Sequence, residues 1–114
     1  FGHAGRGVAH AYLTQRNFRI HVLVAAAVYA LAVLLGLSGL ELAILSLAIA
    51  LVFVTEVLNT VLEVAVDLYV KQYHPLARVA KDAAAGAVLL AALFAALVGA
   101  LIFLPHVLSL LSRG

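Results

Sequence analysis

Three long apolar stretches run along this chain, and polar residues gather at their ends with one exception. The first stretch, IHVLVAAAVYALAVLLGL, predicts a helix over about 20–37. Gly36 to Glu41, GLSGLE, carries two glycines and a serine and predicts a tight turn. The second stretch predicts a helix over about 41–69, free of charge from Leu42 until Glu56. The third predicts a helix over about 79–104, with its apolar run opening at Ala83 and stopping at Pro105. Each is close to or above the roughly 20 mostly apolar residues that a membrane helix needs. Residues 2–19 differ: Val8, Ala11, Tyr12 and Gln15 recur at helical spacing, with Arg6, His10 and Arg16 elsewhere around the wheel. That pattern predicts an amphipathic helix lying at the membrane interface, with a start weakened by Gly2, Gly5 and Gly7. The expected fold is an all-α membrane protein: a surface helix and three spans in a single domain.

Composition agrees with this reading. Of 114 residues, 67% are hydrophobic and 11% charged, whereas a soluble domain carries about 25% charged residues. The chain lacks the polar surface to face water all round. It has no cysteine, which excludes a disulfide framework and thiolate metal sites. A net charge of +2 gives nucleic-acid binding no basis. The first residue is Phe1, and residues ahead of it are expected to be missing. The first twenty residues hold Arg6, Arg16 and Arg19 but no long apolar core, so no secretory leader is expected there.

Lys and Arg orient the spans. Arg6, Arg16 and Arg19 precede the first span, and Lys71, Arg78 and Lys81 lie between the second and third. The 36–41 turn has no Lys or Arg, and the C-terminal tail has only Arg113. The positive-inside rule puts the N-terminus and the 70–82 loop in the cytoplasm.

The exception to the apolar pattern is TEVLNTVLEVAVD. Glu56, Asn59, Glu63 and Asp67 are spaced by 3, 4 and 4. At 3.6 residues per turn they fall within roughly 80° of one helix face and rise through about 16 Å. Leu58, Leu62 and Val66 point elsewhere. A hydrogen-bonded structural seam is one bland reading of the stripe, and a helix leaving the membrane near Asn59 is another. The exit explains Asp67 and Glu63 but explains Glu56 poorly, since a wet helix end does not require its acids on one stripe. Acids at membrane depth face bundle interiors or watery cavities. Across the loop, KQYHPLARVAKDAAAG brings Pro75, an extended His74, and then Lys81 and Asp82. Carboxylates beside an amide can hold Mg²⁺. A lysine can neutralise phosphate charge as a point cation. A deeper Glu can accept a proton from a hydroxyl at lipid depth. These are the parts of phosphoryl transfer from a nucleotide to a lipid alcohol. No G-x-x-x-x-G-K-[ST] loop is present, so another scaffold would hold the phosphates.

EVLNTVLEVAVD followed by YHPLARVAKDAAAGAVLLAA resembles the prokaryotic diacylglycerol kinase and undecaprenol kinase family, over nearly the whole chain. AYLTQRNFRIH looks like the branch that contains undecaprenol kinases. The resemblance implies a small homotrimeric membrane kinase with sites shared between subunits, using MgATP on a lipid hydroxyl. It implies Glu56 as general base, Asn59 as the amide that organises the site, and Glu63 as a metal ligand. Asp67, Lys81 and Asp82 match residues around the nucleotide and its phosphates, with Tyr73 and His74 near the nucleotide end. Gln15 stands where many relatives have a metal-binding Glu, and it offers a carbonyl oxygen without charge. Arg16, Asn17 and Arg19 are candidates for phosphate or head-group contacts, or for ordinary interfacial anchoring. Undecaprenol is the expected acceptor and diacylglycerol the alternative. A small ion-conducting oligomer, with Glu56 and Glu63 lining a pore, is the reading from another class. A non-catalytic assembly subunit would leave the acidic stripe unexplained. Ala83, Ala87 and Ala91, and Ala92, Ala96 and Ala100, form small-residue stripes that permit close helix approach.

Overall fold

The structure, a computed structural model, describes residues 2–113. They form four helices: α1 (Gly2–Thr14), α2 (Arg16–Leu35), α3 (Gly39–Tyr69) and α4 (Pro75–Arg113). Helices α2, α3 and α4 are each long and apolar enough to cross a membrane, and they fit a multi-pass membrane protein. The molecule is elongated, 61 × 32 × 21 Å.

The single helix expected over 2–19 is two helices. The chain turns extended at Gln15 (φ −107°, ψ 109°), and Arg16, Asn17 and Arg19 open α2. Side chains capture the carbonyls at the end of α1. Thr14 Oγ1 donates to the His10 carbonyl at 2.6 Å. Arg19 donates to the Tyr12 and Leu13 carbonyls at 3.1 and 2.9 Å. A cation beside helix C-terminal carbonyls is favourable, and it stabilises the corner.

At its other end α2 closes on Gly36, which adopts the left-handed conformation (φ 68°, ψ 44°) that glycine tolerates best. Leu37 N–H reaches the Ala32 carbonyl and Gly36 N–H the Val33 carbonyl, the paired bonds of a Schellman turn. Ser38 then caps α3. Its hydroxyl accepts from Glu41 N–H at 3.2 Å, and the Glu41 carboxylate accepts from Ser38 N–H at 3.0 Å. This reciprocal capping box satisfies two free donors. The turn expected over 36–41 therefore occupies 36–38, and Glu41 belongs to the first turn of α3.

The third span begins earlier and ends later than its expected 79–104. Proline suits the first helical position because its missing N–H has no partner to lose there. Pro75 accordingly opens α4, and His74 Nδ1 caps it by accepting from Leu76 N–H at 3.1 Å. Pro105 does not stop the helix, which runs on to Arg113. Proline removes one backbone bond, but within an apolar helix the turns on either side hold their own bonds and continue. The turn after Pro105 is also tied across to α3: His106 Nε2 lies 2.9 Å from Glu41 Oε2.

Helix α3 packs more extensively along α4 than along α2. The interior is small. Ala32, Leu37 and Leu45 are buried, with Val28, Ile49, Ile102 and Phe103 packed around them. Large apolar side chains such as Leu34, Leu47 and Leu101 lie mostly exposed on the outer faces. In water such a surface would be untenable, whereas against lipid or further protein it carries no penalty. Of the alanine stripes, Ala91 is buried while Ala83 and Ala87 are exposed. Ala92, Ala96 and Ala100 line an apolar cavity between α2, α3 and α4.

Candidate functional site

Leu45, Val52 and Glu56 are the buried residues of α3, spaced by seven and four. The acidic stripe is thus the continuation of the core-facing side of the helix, with carboxylates replacing apolar groups. Glu56 is 7% exposed and is the only buried charged residue among those described. Its Oε1 lies 3.0 Å from Nε2 of His21, which reaches across from α2. Phe18 and Phe53 pack edge to face beside this pair, with centroids 5.3 Å apart.

One turn further along α3, the Asn59 amide donates a long hydrogen bond of 3.5 Å to Glu63 Oε1. Asn59 Oδ1 is buried and has no hydrogen-bond partner among the described residues. A buried carbonyl oxygen without a donor is a rarity that calls for a ligand or an ion. Beside it, the half-buried Glu63 carboxylate keeps oxygen capacity to spare. Asn59 turns Nδ2 rather than Oδ1 toward Glu63, so with the amide turned over the two residues would offer hard oxygens of the kind Mg²⁺ takes, together with phosphate oxygens or water. Among the described residues no three His, Asp or Glu side chains converge as a ready-made metal cage. The Gln15 side chain makes no hydrogen bond with Glu63 and serves no capping role in α2.

At the end of α3, Lys81 Nζ donates to Asp67 Oδ1 at 2.7 Å, bridging to α4. Asp82, expected at the same place, instead pairs with Arg78 at 3.3 Å on its own helix. A crevice of about 300 Å³ opens beside the Asp67–Lys81 bridge, lined also by Lys71, Tyr73, His74 and Arg78. Its three cations, set against Asp67 and against the Asp82 that pairs with Arg78, still leave a net positive field of the kind that attracts polyphosphate. Arg16 and Asn17 are exposed at the start of α2. Arg19 is engaged on the carbonyls of α1.

The structure therefore gathers the stripe, Lys81, Tyr73 and His74 along one path from crevice to Glu56. Asp82 reaches that path only through Arg78, and the Gln15 side chain makes no hydrogen bond to it. Three residues escaped the sequence reading as site members. Lys71 and Arg78 were visible only as orienting charges. His21 had a signal, an ionisable residue within an apolar span, but its partner lies 35 positions away.

Comparison with known proteins bears on this arrangement. A family model described as prokaryotic diacylglycerol kinase matches residues 2–103. The chain is 53% identical over 112 residues to a diacylglycerol kinase of Synechocystis sp., a match covering 97% of this chain and 64% of that protein. It is 48% identical over 105 residues to an undecaprenol kinase of Bacillus subtilis, covering 92% and 85%. It is 27% identical over 105 residues to a diacylglycerol kinase of Escherichia coli, covering 92% and 86%. The chain thus spans slightly under two thirds of the Synechocystis protein's length. With a family match over nearly all its residues, the chain belongs to the prokaryotic diacylglycerol kinase family.

Proposed function

We propose that this protein is a lipid kinase that transfers the γ-phosphoryl group of ATP to the hydroxyl of a membrane lipid alcohol, with undecaprenol as acceptor. The observation that carries the reading is the polar path itself. A cationic crevice at one end leads past Asn59 and Glu63 to a single buried carboxylate, Glu56, at lipid depth.

Glu56 acts as general base. The lipid O–H bond breaks with its proton going to the carboxylate, while the lipid oxygen bonds to the γ-phosphorus and ADP leaves with the bridging oxygen. Lys81 exchanges its Asp67 contact for the phosphates, and Lys71 and Arg78 add positive charge in the crevice. Tyr73 and His74 border the nucleotide end, and Asp82 holds Arg78 in place. Glu63 and Asn59 Oδ1 would hold Mg²⁺, with Gln15 able to add a neutral carbonyl. When bound, the ion offsets the charge of the transferring phosphoryl group.

The choice of undecaprenol rests on AYLTQRNFRIH and on the similarity to the Bacillus subtilis protein. Diacylglycerol is the second reading, favoured by the higher identity to the Synechocystis protein. The contact of Asp67 with Lys81 at the stripe's open end supports a kinase over an ion-conducting oligomer, which needs acids along a central axis. The setting we propose is the bacterial cytoplasmic membrane, with the crevice on the cytoplasmic side and α1 lying at the interface. Three copies would assemble through the exposed apolar faces and share their sites.

Purified protein in bilayers should move labelled phosphate from ATP to undecaprenol faster than to diacylglycerol. A reversed preference would change the substrate, and no transfer to either lipid would refute the kinase reading.

A further inference from the structure

We infer that His21 is the positioning residue for the Glu56 carboxylate and selects which of its oxygens meets the lipid hydroxyl. The inference rests on the kinase reading above. The 3.0 Å approach of His21 Nε2 to Glu56 Oε1 is the one close polar side-chain contact of that carboxylate among the described residues. Other neighbours are turned away from it. Thr60 Oγ1 donates to the Glu56 backbone carbonyl, and the Asn59 amide donates to Glu63. A small turn of the imidazole lets Nε2–H donate to Oε1; that oxygen is then occupied and Oε2 is left to take a proton. In a buried setting this one bond decides the orientation of the carboxylate plane, because bulk water is too scarce to compete.

His21 also stands at a boundary. It lines the apolar cavity of about 340 Å³ between α2, α3 and α4, whose other walls are aliphatic or aromatic. Its imidazole is the group at which this apolar space meets the polar stripe. In the reaction the hydroxyl proton passes to Glu56 Oε2 as the oxygen–phosphorus bond forms and the bond to ADP breaks, and His21 keeps its own proton throughout.

The helix that carries His21 is docked by other contacts. Phe18 packs on Phe53, and the Tyr29 hydroxyl donates to Ser46 Oγ at 2.6 Å. Loss of the imidazole therefore leaves α2 in place, and a change in rate reports on the carboxylate.

The test uses the full chain in lipid nanodiscs with MgATP and each lipid alcohol. His21→Phe keeps the ring volume without the donor and should lower kcat about 10- to 100-fold, the loss expected for a hydrogen bond to a charged group. The KM for ATP should stay within about twofold, because the nucleotide end is untouched. His21→Gln, whose amide nitrogen can reach Oε1, should recover most of the lost kcat. Combined with Glu56→Gln, His21→Phe should add no further loss, since both act through one carboxylate. Wild-type kcat in His21→Phe overturns the inference while leaving the kinase reading intact, as does a loss that Gln does not recover or that adds to Glu56→Gln. Inactivity of the wild-type protein on both lipids overturns the kinase reading and this inference together.

Discussion

Lys81 Nζ lies 2.7 Å from Asp67 Oδ1, joining the last turns of α3 to the first turns of α4 across the 70–74 loop. Both side chains are substantially exposed, Asp67 more so than Lys81. An exposed pair of this kind contributes only about 0–1 kcal/mol to stability. The role proposed for the pair is instead to present a cation at the mouth of the crevice. Lys81→Met should leave thermal unfolding in detergent nearly unchanged. The same variant should lower kcat/KM for ATP by about 100-fold or more, the scale on which a cation at a transferring phosphoryl group acts. A large fall in Tm with unchanged ATP kinetics would assign the pair a structural role instead.

Glu56→Gln keeps the shape of the buried side chain and its capacity to pair with His21. Phosphate transfer should fall about 100- to 10,000-fold, the range for loss of a general base. Size-exclusion profiles should match those of the wild-type protein. Full activity in this variant would remove Glu56 from the chemistry.

Gln15 and Glu63 bear on the metal. Glu63→Gln removes a carboxylate from the proposed Mg²⁺ site and should raise the Mg²⁺ concentration needed for half-maximal activity about tenfold or more, since site charge tunes affinity. Gln15→Glu should lower it if the two residues approach each other in the assembled protein. Titration of activity with Mg²⁺ at fixed ATP measures both. Unchanged half-saturation in Glu63→Gln would exclude it as a ligand.

Ser38→Ala removes the hydroxyl that caps α3 at the end remote from the crevice. Stability should fall by about 1 kcal/mol, the usual cost of a lost N-cap, with the kinetic constants unchanged. Denaturation and activity measured on the same preparation separate the two effects. A loss of kcat would show that the two ends of α3 are coupled.

Much of this site was legible because a helix converts spacing into direction. Glu56, Asn59, Glu63 and Asp67 could be placed on one face from their intervals, and Lys81 from its position after a short loop. Contacts between helices were not legible. Nothing in the sequence states that His21 meets Glu56, or that Asp82 turns to Arg78 rather than joining the crevice. The misjudged helix ends have local causes. Pro105 was read as a stop because proline breaks helices in water, yet α4 continues past it to Arg113. The break at Gln15 carries no glycine or proline, so it left no mark in the pattern, and side-chain capture of the carbonyls of α1 stabilises it.

The Ser38–Glu41 capping box has a consequence for the lipid surroundings. It fixes where α3 begins, and Glu56 follows 17 residues after Gly39, a rise of about 26 Å. A bilayer's hydrocarbon layer is about 30 Å thick. In the orientation proposed above, with the capped end at the far surface, the carboxylate would stand just inside the near one, where the proposed acceptor hydroxyl would lie. The helix then works as a measuring rod whose length is set by covalent geometry. Membranes of different thickness would shift the acceptor hydroxyl relative to a carboxylate that does not move.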